Sequence, residues 1–189
     1  MPLQVVLAKL ETNGIGFRHE ELNKLEETLK KRVESIKTQV VQILIAVPGA
    51  DPANFNLASP EQVSKMLFDT LRLKSPDLTS RKGKHHSTSE ETLKGLIQHH
   101  PIVQLILDFR GLNKTLTTFV EGVRAFVKRN EPGSLIAEQS AEWKIHAEWN
   151  NTTVRTGRMS CCKPNLQQVP KATVVNGISC NIRSFFVPR

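Results

Sequence analysis

The apolar positions of this chain change their spacing twice, from helical to irregular and from irregular to alternating. Leu3, Val6, Leu7 and Leu10 recur at helical spacing, which predicts a short amphipathic helix over residues 2–10, stopped by the turn signal Asn13-Gly14, with Ile15 and Phe17 extended beyond it. From His19 to about Ala46, Leu22, Leu25, Leu29, Val33, Ile36, Val40 and Ile43 keep a near-heptad spacing, and Lys24, Glu27, Lys30, Lys31 and Glu34 take the other faces. One long helix with a core-packing stripe is expected there. Ser59-Pro60-Glu61-Gln62 supplies a capping serine, a proline at the first helical position and a glutamine at the third, so it opens a helix whose Val63, Met66, Leu67 and Leu71 face inward. Ser87 with Glu90 reads as a second capping box, leading to Leu93, Leu96 and Ile97. Pro101 starts the next helix, with an apolar face through Ile102, Leu105, Phe109, Leu112, Phe119, Val123 and Phe126.

Between these helices, residues 74–86 show no hydrophobic periodicity and carry Lys74, Arg81, Lys82 and Lys84 against Asp77, so they read as a flexible, exposed connector. Asn130-Glu131-Pro132-Gly133 ends the helical pattern. Trp143, Ile145, Ala147 and Trp149 then alternate with Lys144, His146 and Glu148, the mark of a strand with one buried face. Beyond it, single hydrophobics stand among Thr, Asn, Gly, Pro and Ser, which predicts short strands and ordered loops. The expected class is α+β, mostly α, with no internal repeat.

Composition narrows the class. A chain of 189 residues that is 39% hydrophobic holds one or two ordinary cores, which excludes a disordered tail and a disulfide-stapled mini-protein. The longest apolar run, residues 40–47, is broken at Gln42 and falls far short of the roughly 20 residues a bilayer needs. Residues 1–11 lack a basic segment ahead of their apolar stretch and do not read as a signal peptide. Three cysteines, two of them adjacent, suit a reducing compartment, so a soluble intracellular protein is expected.

Charge adds a direction. The net charge is +8, and its excess sits in the C-terminal two thirds: from Trp149 onward there are six Lys or Arg and no Asp or Glu. Such a surface attracts polyanions, and nucleic acid is the commonest of them inside a cell. Other chemistry is sparse. His85-His86, His99-His100 and Cys161-Cys162 lack the spacing of zinc ligands, Cys161 has no identifiable histidine partner for nucleophilic work, and Gly14-Ile15-Gly16 lacks the third glycine of a dinucleotide loop. The sequons at Asn113, Asn150 and Asn151 read as accidental. The informative stretch is residues 149–170, where Arg155, Arg158 and Lys163 are interleaved with Asn150, Asn151, Thr152, Thr156, Ser160, Asn165, Gln167 and Gln168. These groups donate to phosphates and to the minor-groove acceptors that every base pair presents.

Thr156-Gly157-Arg158-Met159-Ser160 followed by Pro164-Asn165-Leu166-Gln167-Gln168-Val169-Pro170 resembles the T-G-R-[LIM]-S…P-N-[LI]-Q-N-[IV]-P signature of family A DNA polymerases. Residues 2–17 resemble that family's opening P-L-x-x-V-L-A-x-[ML]-E-x-x-G-[IV]. Phe55-Asn56-Leu57 with Ser59-Pro60-Glu61-Gln62 and Leu67-Phe68 resembles its F-N-L-x-S-P-x-Q motif. Ser87-Thr88-Ser89-Glu90, His100-Pro101, Arg110 with Lys114 and Thr117-Thr118-Phe119, and Ile182-Arg183 before Phe186 resemble further motifs in the same order. The string Gly14-Ile15-Gly16-Phe17 leans toward the eukaryotic theta and nu branch.

The resemblance implies a polymerase right hand, incomplete here: residues 1–17 as the opening segment of the palm, 18–130 as a helical thumb with a basic tip at 74–86, and 131–189 as the first palm strands. It implies a DNA-directed DNA polymerase of repair or replication, a nucleotidyltransferase, with primer–template DNA as partner. Deoxynucleotides and Mg2+ would belong to the complete enzyme. It implies a nuclear location and a monomer. Arg158 would contact the minor groove at the primer terminus; Asn150, Thr156, Asn165, Gln167 and Gln168 would support the primer–template junction. Lys114, Thr117 and Thr118 would hold backbone phosphates from the thumb, Lys82 and Lys84 would lie at its tip, and Arg183 would sit beside the active site. Leu116, Asn151 and Gln168 depart from the family's usual Lys, Gln and Asn. The family's metal-binding aspartates are expected only beyond Arg189, and no carboxylate follows Glu148, so a fragment that cannot extend a primer alone is expected. Two other readings are a stand-alone, non-catalytic DNA-binding protein and a helical protein-interaction scaffold.

Overall fold

The structure, a computed structural model, describes residues 2–74, 86–129 and 142–187. The chain forms two compact units, one of residues 1–29 with 114–189 and one of residues 30–113. The expected basic tip, with Lys82 and Lys84, lies outside the described residues.

The unit of residues 30–113 is helical. It contains most of α2 (His19–Ile45), then α3 (Pro60–Ser64), α4 (Glu90–Leu96) and α5 (Pro101–Lys114). Val33, Ile36, Val40 and Leu44 of α2 are buried, whereas Ile43, the heptad position, is only half-buried. A straight helix of 3.6 residues per turn drifts off a strict heptad, which moves the last core position from 43 to 44. Ser59 caps α3 as expected, its Oγ accepting from Gln62 N at 3.4 Å, and Gln62 Oε1 reaches back to Asn56 N at 2.6 Å. The helix then widens into a π turn over Lys65–Thr70.

The cap of α4 differs from the expected box. Ser89, not Ser87, accepts from Thr92 N at 3.3 Å, and Ser87 Oγ accepts from Ser89 N at 3.3 Å. Arg110 explains the shift: its guanidinium donates to both the carbonyl and the hydroxyl of Thr88, holding residues 87–89 outside the helix. A second π turn, Thr115–Glu121, follows α5 and leads into α6 (Gly122–Arg124). The extra residue in its turn rotates the downstream face, so Leu116, Val120 and Val123 are buried while Phe119 and Phe126 are half-buried.

The other unit joins the two ends of the chain. Helix α1 (Pro2–Asn13) runs three residues past the expected stop and ends where Gly14 adopts φ +65° and its N–H returns to Leu10 O at 3.0 Å. Only Leu7 of its apolar residues is buried; Leu3, Val5, Val6 and Leu10 are exposed. Next comes β1 (Ile15–Phe17), which sits inside a four-stranded antiparallel sheet of order β2-β3-β1-β8, with β2 (Val127–Arg129), β3 (Trp143–Ile145) and β8 (Phe186–Val187). Ile15 pairs with Ile145 and Phe17 with Phe186. Phe17, 2% exposed, meets Phe185 and Phe186 edge-on with ring centroids at 6.2 and 5.2 Å.

Two hairpins complete this unit: β4 (Glu148–Asn150) with β5 (Ser160–Cys162), and β6 (Thr173–Val175) with β7 (Ile178–Cys180). The second closes through Asn176-Gly177, both left-handed at φ 50° and 77°, as a two-residue hairpin turn requires. The single strand expected over residues 143–149 is therefore two strands in two sheets, because His146 and Ala147 separate β3 from β4. Ile145 and Ala147 are buried as expected, but so is Lys144, which the alternation placed toward solvent. Along α2, buried Glu26 pairs with Arg124, which also donates to Asn23, and His19 stacks on Trp143 at 4.3 Å.

Two outcomes test this packing. A Cβ on Gly14 would lie 2.8 Å from His146 Cε1, whereas nothing stands within 4 Å of one on Gly177. Both positions carry the left-handed strain of about 1 kcal/mol, so Gly14→Ala is expected to lower the urea midpoint more than Gly177→Ala. Arg124→Ala removes the guanidinium that pairs with buried Glu26 and also donates to Asn23, and is expected to cost about 3 kcal/mol. The double variant Glu26→Leu/Arg124→Met should recover most of that loss in the same titration.

Candidate nucleic-acid interface

Of the residues that sequence singled out, Asn150, Thr156, Arg158, Asn165, Gln167 and Gln168 lie on the β4–β5 hairpin or in the turn that follows it. Asn150 ends β4 opposite Ser160, and the intervening residues 151–159 carry Thr156 and Arg158, both exposed. Past β5, the chain turns at a cis Lys163-Pro164 bond into a 3-10 turn, Leu166–Gln168. Asn165 Oδ1 accepts from Gln167 N at 3.1 Å and so caps this turn, while Gln167 Nε2 donates to Met159 O at 2.9 Å. The amide of Gln167 therefore fixes the residue next to Arg158. Arg183 donates from Nε and Nη2 to Val169 O at 3.1 and 2.8 Å.

These contacts divide the expected residues. Asn165, Gln167 and Arg183 hold the local backbone, and Asn150 Nδ2 donates to Cys162 Sγ at 3.7 Å. Thr156, Arg158 and Gln168 point their polar groups at solvent without a side-chain partner among the described residues. Lys114 ends α5, and Thr117 and Thr118 follow it in the π turn, all three exposed.

Electrostatics separates the cations. Glu148 is the last acid in the chain, and it pairs with Lys163 at 3.1 Å. Arg155, Arg158 and Lys171 then stand exposed with no acidic partner among the described residues. Lys144 is the residue that sequence reasoning missed. It lies between Gly16 and Lys128 in the sheet register, is 8% exposed, and has no ion-pair partner among the described residues. Like charges directly opposite one another repel across an antiparallel pair, and a lysine whose chain is covered by its neighbours carries its ammonium at the end of the stem. Its signal in the sequence was hidden, because alternation alone cannot tell an edge strand from one flanked on both sides.

The thiols are structural. Burial pushes the Cys161 and Cys180 thiols above their usual range, and Cys161 Sγ donates to Pro164 O at 3.3 Å, an arrangement opposed to a nucleophile. Among the described residues no group of three or more His, Cys, Asp or Glu is placed to hold a metal ion. The residues present thus do not fit the Mg2+ ions that the resemblance assigns to the complete enzyme, and no phosphoryl-transfer step is derived from them.

Comparison with known proteins gives the lineage. Residues 19–189 match the sequence model of DNA polymerase family A. Over 172 residues, 91% of this chain and 18% of the relative, the chain is 33% identical to the thermostable DNA polymerase I of Thermus caldophilus. Over 189 residues, all of this chain and 17% of the relative, it is 32% identical to DNA polymerase I of Synechocystis. Its fold is similar to the POL domain of Pol1 from M. smegmatis, solved in complex with DNA primer-template and dNTP, with TM-score 0.68 and 27% identity over 91% of this chain and 27% of that one. The chain thus spans less than a fifth of the length of the curated relatives it matches. These relatives are bacterial, from cells without a nucleus, which overturns the expected nuclear location, and the leaning toward theta and nu finds no support in them. The ordered motifs, the family match over residues 19–189 and the shared fold make one conclusion: the chain belongs to DNA polymerase family A.

Proposed function

We propose that this chain is the part of a DNA-directed DNA polymerase that grips the primer–template duplex, and that its role is binding, with the carboxylates for two-metal chemistry supplied from elsewhere in the polymerase. The observation that carries this reading is the set of cations without counter-ions among the described residues: Arg155 and Arg158 exposed in the β4–β5 connection, Lys171 exposed ahead of β6, and Lys144 within the four-stranded sheet. An exposed, acid-free surface of this kind takes most of its affinity from phosphates. Arg158 has a planar, multiply donating fork, and Lys144 adds an ammonium from the neighbouring sheet; both suit the minor-groove acceptors that a correct terminal base pair presents.

In this reading residues 18–130 form the thumb, and residues 1–17 and 131–189 begin the palm. Lys114, Thr117 and Thr118 hold phosphates from the π turn after α5. Lys82 and Lys84 do the same from the thumb tip. Thr156 and Gln168 touch the duplex near the junction. Asn165 and Gln167 act one step back, by fixing the backbone beside Arg158, while Asn150 ties β4 to Cys162 of β5 and Arg183 holds Val169 after the 3-10 turn. The complete enzyme would take deoxynucleotides and Mg2+. The solved relative, bound to primer-template and dNTP, supports the duplex as partner.

Three outcomes are expected. Arg158→Ala in a complete polymerase chain should slow primer extension by about a hundredfold while weakening duplex binding only severalfold, the pattern of a contact made mainly in the transition state; equal losses in both would contradict the primer-terminus role. Lys144→Met should leave the unfolding midpoint nearly unchanged, since the covered part of the side chain is replaced by apolar atoms of similar length and no ion pair among the described residues is lost, yet weaken binding of a recessed primer–template measured by fluorescence anisotropy. For Lys114→Ala, the slope of log affinity against log salt should become shallower by about one, as for one lost phosphate contact.

A further inference from the structure

One contact in the sheet-bearing unit is unusually specific for two segments so far apart in sequence. Glu11, in the last turn of α1, is bound twice, once by the link between β3 and β4 and once by β4 itself: its carbonyl meets His146 Nδ1 at 2.8 Å, and its carboxylate accepts from Trp149 N at 2.7 Å. The space is closed from a third side, since a Cβ on Gly14 would fall 2.8 Å from His146 Cε1 and 3.0 Å from both ring nitrogens. The imidazole lies on the glycine that ends α1. His146 and Ala147 lie between the strands, because β3 ends at Ile145 and β4 begins at Glu148, and Trp149 stands opposite Cys161 in the β4–β5 pair. The carboxylate of Glu11 takes the Trp149 N–H and so ties β4 as well as the link to the end of α1.

The link held by this contact is the one that separates the two groups of cations. Lys144 stands two residues before His146, and Asn150 one residue after Trp149, opening the segment that leads to Arg158. A shift of His146 and Ala147 would turn β4 relative to β3 and so change the distance between Lys144 and the exposed guanidinium of Arg158. We propose that Glu11 and His146 are positioning residues for duplex binding: they clamp the end of α1 onto residues 146–149 and thereby set the spacing of Lys144 and Arg158. This rests on the duplex-gripping reading above. Preorganised spacing matters because a misplacement of the order of 1 Å in a recognition group can undo its contribution.

The test uses the 189-residue chain and two labelled probes, a recessed primer–template and a blunt duplex of the same length, read by anisotropy alongside thermal unfolding. Glu11→Ala is expected to weaken the recessed probe by about three- to tenfold, the range for one lost hydrogen bond, and to reduce the preference over the blunt probe. Glu11→Gln keeps an acceptor for Trp149 N–H and should restore most of both. His146→Ala attacks the clamp from its other side and should reproduce the loss of preference, while adding little in combination with Lys144→Met, since both act on one spacing. A merely structural role would lower the unfolding midpoint in step with affinity for both probes and leave the preference intact, and that result overturns the proposal. So does unchanged binding in both alanine variants. A wild-type chain that binds neither probe overturns the duplex-gripping reading itself, and the clamp with it.

Discussion

Three residues, Ile15–Phe17, hold the beginning and the end of the chain together. β1 is an inner strand, with β3 on one side and β8 on the other, so its pairing joins residues separated by well over a hundred positions. Closing such loops is entropically expensive, and the return comes from burial: Phe17 is nearly inaccessible and meets two phenylalanines edge-on, while Ile145 and Ile182 are fully enclosed. Everything placed near the candidate interface depends on this closure. The strand that buries Lys144 is β1's partner, Gly14 immediately precedes β1, and Glu11 reaches the 146–149 link only because β1 brings α1 there.

The basic character of the C-terminal part is a matter of missing acids more than of many bases. Glu148 is the last carboxylate and is engaged by Lys163, which leaves the cations that follow to face solvent. In water, exposed arginines and lysines repel one another weakly and are screened within about 8–10 Å, so the fold tolerates them. Lys144 differs in kind. It lies between a glycine and a second lysine in the sheet register, covered along most of its length, and no ion pair among the described residues holds it.

Residues of one motif do two kinds of work. In the segment from Thr156 to Pro170 some side chains face outward, as Arg158 does, and others are turned back on the backbone, as Asn165 and Gln167 are. Arg110 shows the same economy in the helical unit, where its fork fixes Thr88 and displaces the cap of α4 from Ser87 to Ser89. A motif match identifies such residues together, because function needs both sets; hydrogen-bond geometry separates them.

By itself the sequence determined the long helix, the proline-led start of α3, the turn at Asn13-Gly14, the family and the acid-free character of the chain after Glu148. Each is local: helical periodicity, a capping serine, a left-handed glycine and a run of motifs are all written within a few adjacent residues. It did not reveal that α1 leaves Leu3, Val6 and Leu10 exposed, that residues 143–150 divide between two sheets, or that Asn176-Gly177 closes a hairpin whose strands are only three residues each. Nor did it reveal Lys144, since alternation describes one strand and burial depends on what lies beside it. The tertiary structure decided these points because they are set by partners distant in the chain, and above all by β1, whose three residues take their neighbours from positions near 145 and 187.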